Sequence, residues 1–568
     1  QKDSLEFSEI LSYVNSAINI LDLRKTSLHF NLSVIDAKNY LKKAFYEGYC
    51  KKTAPTVTCV GHTHIDVAWL WSVEQSKEKA QRSFANMLAL MDEYPEFTFI
   101  SSQPILYKFV KEEAPTLYAK IKEFEKEGRW EVEGGTWLEN DCNLISGESF
   151  VRQLLYGKKF FKQEFDKDSK ILWLPDTFGF PASIPQILIK SGITDFATSK
   201  INWNDQNDFP YEVFSWQGID GSSIDGFIIT AQDYTNDFSR YTTYNGEGTP
   251  SQVKGTWNRF RQKDLTDNVL LAYGYGDGGG GATREYCEKL KRMEKGIPSC
   301  PTVKFGTFTE YFNNLKQRST YNKKQTWMGE LYLEFHRGTY TSMARNKRYN
   351  RKAEYLLGNV ELFCVMDSLL NGYKYPEEKL LECRELLMLN QFHDILPGSS
   401  IREVYEQSDN DYETLFNIAN GILDEITIEL SQSVTAFNPT SFNFSGDVLT
   451  DNEYVYVENV PSLGFRSVLP EVRNSIKTND YLLENDFLRV AFNTNGTVVS
   501  IFDKNQSREI LSAGGKGCRI VAYDDYPFNF DAWEIKDYYK EKSYEITEPI
   551  SSEIVVEGNR TGKKTVYK

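Results

Sequence analysis

Four stretches of different apolar and polar texture succeed one another along the chain. Over residues 5–23, Ile10, Val14, Ile18 and Leu21 recur at helical spacing, and a second helix carrying Ala37, Leu41 and Phe45 is predicted with Ser33 as its cap. From about residue 55 to 310 the chain becomes a series of short apolar runs, TVTCVGH, FTFISSQ, WEVEGGTW, KILWLPD, FATSK, GFIIT and NVLLAYGYG, separated by charged helical stretches. That alternation predicts an α/β domain on a mostly parallel sheet, open or closed into a barrel, whose site lies at the carboxyl ends of the strands.

Residues 345–430 read helical throughout. Leu356, Val360 and Phe363 form one stripe and Leu415, Ile418, Ile422 and Ile426 another. Between them Pro376 opens a helix whose first turn carries Glu377 and Glu378, where the helix dipole favours acids. A three-helix bundle is the simplest arrangement. After Phe437-Asn438-Pro439 the period drops to two: Leu488, Val490 and Phe492 alternate, Asn495-Gly496 can turn, and Val499 and Ile501 resume the alternation. The closing TGKKTVYK shows no strand pattern, so the natural chain is expected to continue past it. The predicted division is a helical segment 1–54, an α/β domain 55–320, a helical bundle 321–431 and a β-rich domain 432–568.

A length of 568 residues agrees with several cores, and the aromatic surplus, 34 Tyr, 36 Phe and 10 Trp, suits sugar-stacking surfaces as well as large interiors. The net charge of -15 argues against nucleic acid as a partner. No apolar run is long enough to span a bilayer, and QKDSLEF lacks the pattern of a secretory signal, so a soluble protein without a membrane partner is predicted. Eight scattered cysteines without a CxxC pair read as reduced thiols in a cytoplasm.

Chemistry-bearing residues cluster. Of the five histidines, His62, His64, His336 and His393 lie in stretches dense with carboxylates and aromatics, and only His29 does not. In CVGHTHIDVAWLW (59–71) a strand would send His62, His64 and Asp66 to one face, which begins a metal pocket or merely pairs a core histidine with an acid. KILWLPDTFGFPASIP (170–185) ends an apolar strand at Asp176, placed to cap a turn or to serve a site. LNQFHDILPGSS (389–400) sets His393 and Asp394 at the end of a helix, a position that favours histidine even without a ligand. Taken together, imidazoles and carboxylates from separate segments describe a catalytic divalent-metal site, for which zinc is the usual ion.

In WMGELYLEFHRGTYTS (327–342), Glu330, Tyr332 and Glu334 share a face if the stretch is extended. A carboxyl there, opposite Asp176, would complete the pair that glycoside hydrolysis needs; ordinary surface acids give the same pattern. In NVLLAYGYGDGGGGATREYCEKLKRM (268–293), Gly274, Gly276 and Gly279 satisfy a dinucleotide-binding spacing, but the run has no phosphate-cradling lysine and lies late in the domain. A glycine loop that brings Asp277 to a polar ligand is the better reading.

The stretches GHTHIDVAWLW, WLPDTFGFPASIPQIL, GELYLEFHRGTYTS and NQFHDILPGSS, in this order, strongly resemble glycoside hydrolase family 38, the α-mannosidases, and look closest to its cytosolic and bacterial branch. YPFNFDAW (526–533) carries the resemblance into the β-rich part. The resemblance implies a multidomain α/β fold: an N-terminal (βα)7-type barrel, a three-helix bundle and C-terminal β-sandwich-like domains. It implies one Zn2+ per chain on His64, Asp66, Asp176 and His393, with Asp176 also the nucleophile. Trp69 would lie under the sugar and Asp394 would hold a sugar hydroxyl, while Lys200 stands near a position where relatives often carry arginine. Asp277 is counted with the substrate-binding residues, and Glu330, with Glu334 a close second, is the acid/base. The implied activity is retaining, zinc-dependent exo-hydrolysis of terminal α-mannose from oligosaccharides by a cytoplasmic enzyme, of a kind that often self-associates. A mannosylglycerate hydrolase, a metal-dependent carbohydrate deacetylase and a carbohydrate-binding protein without turnover are the alternatives.

Overall fold

The run TVTCVGH forms the strand around which the first sheet is built. Among the described residues, ten strands carry the α/β part: β1 (Thr56–His62), β2 (Phe99–Ser101), β3 (Trp130–Val132), β4 (Ile171–Trp173), β5 (Asp195–Thr198), β6 (Val213–Gln217), β7 (Ser223–Ile228), β8 (Asn268–Tyr273), β9 (Thr302–Phe305) and β10 (Gln325–Met328). β1 pairs in parallel with β2, β8 and β9, and all but its first residue is buried. Both faces of this strand are covered, so Thr58, on the face opposite Val57 and Cys59, is buried as they are, its hydroxyl donating to Asn268 Oδ1 at 3.0 Å. Val57, Cys59, Val60, Phe99, Trp130 and Leu271 are among the buried residues of this core, and burial of side chains of the larger sizes contributes about 1.5–3 kcal/mol each.

The computed structural model describes residues 5–24, 26–50, 55–204, 206–232, 241–426, 435–449, 454–467 and 475–568. One five-stranded sheet runs β3-β2-β1-β8 with β9 also on β1, and the other runs β10-β6-β7-β5-β4. All pairings in them are parallel except β6 with β7. A lone parallel bridge, Gly134 to Leu172, ties the chain just past β3 to β4. The chain therefore has a largely parallel α/β part, as the alternation predicts.

Two compact units are resolved. The first takes in Gln1–Leu357, Glu378–Ala419 and, from far along the chain, Ala532–Glu534; the second takes in Gly358–Glu377, Asn420–Asp531 and Ile535–Lys568. In the first unit the amino-terminal helices run Leu5–Ile20 and Ser27–Tyr40, the latter continuing into a π-helical stretch, Leu41–Cys50. Ser33 does not cap this second helix. It sits inside, its hydroxyl donating to Phe30 O at 2.7 Å, and Thr26 holds the cap position. A serine can bond a carbonyl one turn back, so its sequence position alone does not separate cap from interior. The later helices run Ala344–Asn371, Glu377–Asn390 and Arg402–Glu425, with Pro376 just before the second as expected.

In the second unit the alternation around Asn495-Gly496 is a hairpin: Leu488–Phe492 pairs antiparallel with Val498–Asp503, Gly496 has φ 81°, and the Asn493 side chain accepts from Thr497 N at 2.9 Å. The closing residues correct an expectation. Arg560–Tyr567 is a strand, antiparallel to Pro549–Glu557. Its exposure does alternate, but the less exposed positions include Thr561, Lys563 and Thr565, so hydropathy hides the period. The boundary expected at 431 falls outside the described residues.

Candidate metal centre

The residues of interest follow the carboxyl ends of parallel strands. His64 and Asp66 lie past β1, Asp176 past β4, Lys200 past β5 and Asp277 past β8, and His393 comes from the loop after Glu377–Asn390. This is the edge at which α/β sheets place their sites, because successive loops converge there. His393 and Asp394 stand beyond the last helical residue, Asn390, rather than in the helix itself.

The four expected metal ligands meet. One donor atom from each of His64, Asp66, Asp176 and His393 lies within 4.8 Å of the others, and all four residues are buried. His64 Nε2 is 2.8 Å from Asp66 Oδ1, and His393 Nε2 is 3.3 Å from the same oxygen and 3.6 Å from Asp176 Oδ2. His393 Nε2 and Asp176 Oδ1 have no hydrogen-bond partner in alignment. Two imidazoles and two carboxylates so arranged fit a divalent cation, with zinc the usual ion for such donors.

The loops are held from behind. Asp66 N donates to Asp277 O at 2.7 Å, and Asp66 O accepts from the Trp71 indole and the Ser76 hydroxyl, each at 3.0 Å. Asp277 sits at φ 59° in the glycine loop, closed by paired bonds between Tyr275 and Gly281, and its carboxylate accepts from Tyr244 and Asn245. The glycine run thus shapes a turn beside the cluster.

Two residues correct or extend the reading. β1 ends at His62, so the alternation that would align His62 with His64 and Asp66 stops there. His62 instead accepts from the Trp173 indole at 3.1 Å, and burial, with His64 nearby, pushes its pKa down to about 3, which keeps it neutral. Glu139 was not singled out by sequence. Its Oε2 lies 2.8 Å from His64 Nδ1, out of line for a hydrogen bond, and its carbonyl contacts His393 Nδ1 at 2.7 Å. The only signal was position, in the loop just past WEVEGG, as Asp176 is past KILW.

Lys200 Nζ is 2.5 Å from Asp176 Oδ1 and 4.0 Å from the centre of the Trp203 ring. Burial would raise the Asp176 carboxyl, but Lys200 and His393 outweigh it and hold the group well below the usual carboxylate range. Asp394 goes the other way, its carboxyl pushed up by burial and by Asp66. Trp69 is half-buried beside Trp71 and Trp533.

Residues 330–336 do not form the expected strand: β10 stops at Met328 and only a bridge from Leu331 to Phe180 follows. Glu330 is exposed, its carbonyl accepting from the Trp327 indole. The Glu334 carboxylate accepts from the backbone of Gln206 and Asn207 and from the Asn207 amide.

Family models match most of the chain. The glycosyl hydrolases family 38 N-terminal domain covers residues 54–330, the alpha mannosidase middle domain 334–430 and the glycosyl hydrolases family 38 C-terminal domain 483–564. Alpha-mannosidase G of Dictyostelium discoideum is 33% identical over 96% of this chain and 55% of its own length. Alpha-mannosidase 2C1 of Homo sapiens is 32% identical over 95% of this chain and 52% of its own. In fold the chain is similar to a solved alpha-mannosidase from Enterococcus faecalis V583, with TM-score 0.69 at 18% identity, over 88% of this chain and 65% of that one. The class is that of the glycosyl hydrolases. Within it, the chain belongs to family 38. It spans about half the length of these two curated relatives.

Proposed function

We propose that this chain carries the catalytic machinery of a zinc-dependent, retaining exo-α-mannosidase acting on terminal α-mannose of oligosaccharides. The observation that carries this reading is the convergence of His64, Asp66, Asp176 and His393 within 4.8 Å at the carboxyl ends of the strands. A zinc ion on these donors would supply a Lewis acid for the vicinal hydroxyl oxygens of mannose and offset charge around Asp176. All other steps belong to side chains.

Asp176 attacks the anomeric carbon. Its ionisation is secured by Lys200, 2.5 Å away, so the attacking oxygen is unprotonated at working pH. Asp394 and Asp277 accept from sugar hydroxyls, and Trp69 presents its ring to the sugar's apolar face. Glu330 protonates the leaving oxygen and then deprotonates the water that releases mannose, so the α configuration is retained. Glu330 is preferred to Glu334 because the Glu334 carboxylate is already engaged as the acceptor of the Gln206 and Asn207 backbone N–H groups and the Asn207 amide.

The same reading includes closure of the α/β sheets as a (βα)7-type barrel, for which the Gly134–Leu172 bridge is the support, a middle three-helix bundle and a sandwich-like β-rich part, with the divisions at 54, 320 and 431. It includes a cytoplasmic location, supported by eight free cysteines, and self-association. No described helix is long and apolar enough to cross a membrane.

The test is release of an aryl alcohol from an α-mannoside, with chelator, with zinc restored, and in Asp176→Ala. Chelator-sensitive release that returns with zinc and is absent in the variant is the expected result. Tightly bound zinc without release from any mannoside would turn the assignment to a metal-dependent deacetylase, and no bound metal would overturn the site.

A further inference from the structure

Ala532–Glu534 packs with the first unit although the residues on either side, Asp531 and Ile535, belong to the second. Three anchors hold it. Gly338 N donates to Trp533 O at 2.8 Å. Glu534, 2% exposed, accepts from the backbone N–H of His336 and lies 3.2 Å from that residue's Nδ1. The Trp533 indole donates to Asp394 Oδ1 at 3.4 Å. Gly338 makes the room: a Cβ there would stand 2.8 Å from Trp533 O and 3.3 Å from the Glu534 carbonyl carbon and oxygen, and the nearest of these is a backbone atom that would have to move. HRGTYT, which the mechanism above leaves unused, is the seat of this tripeptide.

The tripeptide brings one half-buried aromatic ring to the rim of the donor cluster. The Trp533 ring centre is 6.1 Å from that of Trp69 at a 52° tilt, and 5.8 Å from that of His336. Asp394 is shared between the two sides: Oδ1 takes the Trp533 N–H and the Ser399 hydroxyl, while Oδ2 lies 3.8 Å from His393 Nε2. Bonds to one oxygen fix the rotation of the carboxylate and leave the other directed at the cluster. Aromatic walls with a few fixed polar groups are how small-ligand pockets gain both affinity and orientation.

We infer that Trp533 is a specificity-determining residue of the sugar pocket. Its ring and that of Trp69 form the corner against which the apolar face of a hexose lies, and its N–H sets Asp394 to receive a sugar hydroxyl. This rests on the α-mannosidase reading and adds to it a side chain from the far end of the sequence.

The experiment compares the zinc-loaded full chain with Trp533→Ala, Trp533→Phe and Gly338→Ala, reading KM and kcat on an aryl α-mannoside, zinc affinity by chelator competition, and thermal stability. In Trp533→Ala, KM should rise about tenfold or more, the equivalent of ~1.4 kcal/mol, with zinc affinity kept because the indole N–H bonds to Asp394, which is not one of the four donors. Trp533→Phe, which keeps a ring and loses the N–H, should fall between. Gly338→Ala should reproduce the KM rise without deleting any atom of the pocket. An unchanged KM in stable Trp533→Ala, or in Trp533→Phe and Gly338→Ala together, would overturn the inference, as would loss of zinc affinity in step with activity, the mark of a merely structural role. A wild-type chain that binds zinc and cleaves the mannoside isolates that failure to Trp533; one that does neither removes the underlying reading and the inference with it.

Discussion

Glu139 meets His64 and His393 at once: its carboxylate stands 2.8 Å from Nδ1 of the first, and its carbonyl contacts Nδ1 of the second at 2.7 Å. One residue therefore orients both imidazoles of the cluster by the nitrogens that do not face the carboxylates of Asp66 and Asp176. Glu139→Gln keeps the carbonyl contact and loses the charge, and should weaken metal affinity about 10-fold, with Glu139→Ala nearer 100-fold. Chelator competition measures this, and wild-type affinity in both variants would show that packing alone sets the rings.

Metal binding should expel protons. Burial by itself would lower both histidines, but the carboxylates around them prevail: His393 is pushed up to about 10, by Asp176 and Asp66, and His64 well above its ordinary value, by Glu139 and Asp66. At neutral pH the metal-free rings are thus protonated, and a cation must displace those protons, so affinity rises with pH across the neutral range. Calorimetry of zinc binding in buffers of different ionisation enthalpy should show at least one proton released; none released would contradict the arrangement.

The two glutamates should separate by substrate. Glu330→Gln should slow an alkyl mannoside by about 100-fold or more and spare a dinitrophenyl mannoside, whose leaving oxygen needs no proton. Glu334→Gln should act mainly on stability, because it weakens the acceptor of the Gln206 and Asn207 N–H groups. The reverse pattern, read from kcat/KM on the two substrates, would move the acid role to Glu334.

Acid should loosen the fold through His336. Burial pushes its pKa down to about 4, with Glu534 opposing only in part. A histidine depressed from about 6.5 in the unfolded chain contributes its full stability above that pH, and loses it as pH falls toward 4, by up to about 3 kcal/mol. Melting temperatures of chelator-treated protein should therefore decline over this window, and His336→Gln should flatten the decline. A variant with the full wild-type slope would assign it elsewhere.

The donor cluster was legible because its residues are rare types in revealing places. Asp176 ends an apolar run, and His64 and His393 account for two of only five histidines. Glu139 was not legible for opposite reasons: glutamate is common in this chain, and half of its role is played by a backbone carbonyl, which every residue has. His62 misled because alternation holds only while the strand lasts, and β1 ends on that residue. The strand of Arg560–Tyr567 was hidden by a lysine on each face and by threonines on the less exposed one, and the antiparallel pairing of β6 with β7 leaves no mark in apolar runs so short. Trp533 could be seen only in space, since nothing near it in sequence says that it lies beside Asp394.

That separation carries a consequence for how the chain is made. The donors are complete once residue 393 has been synthesised, but the wall formed by Trp533 arrives about 140 residues later, on the order of ten seconds at common rates of elongation. A nascent chain can therefore gather its imidazoles and carboxylates while Gly338 and His336 still wait for their tripeptide. On the reading proposed above, an arrest of translation in that interval would leave the four donors without the wall that Trp533 supplies.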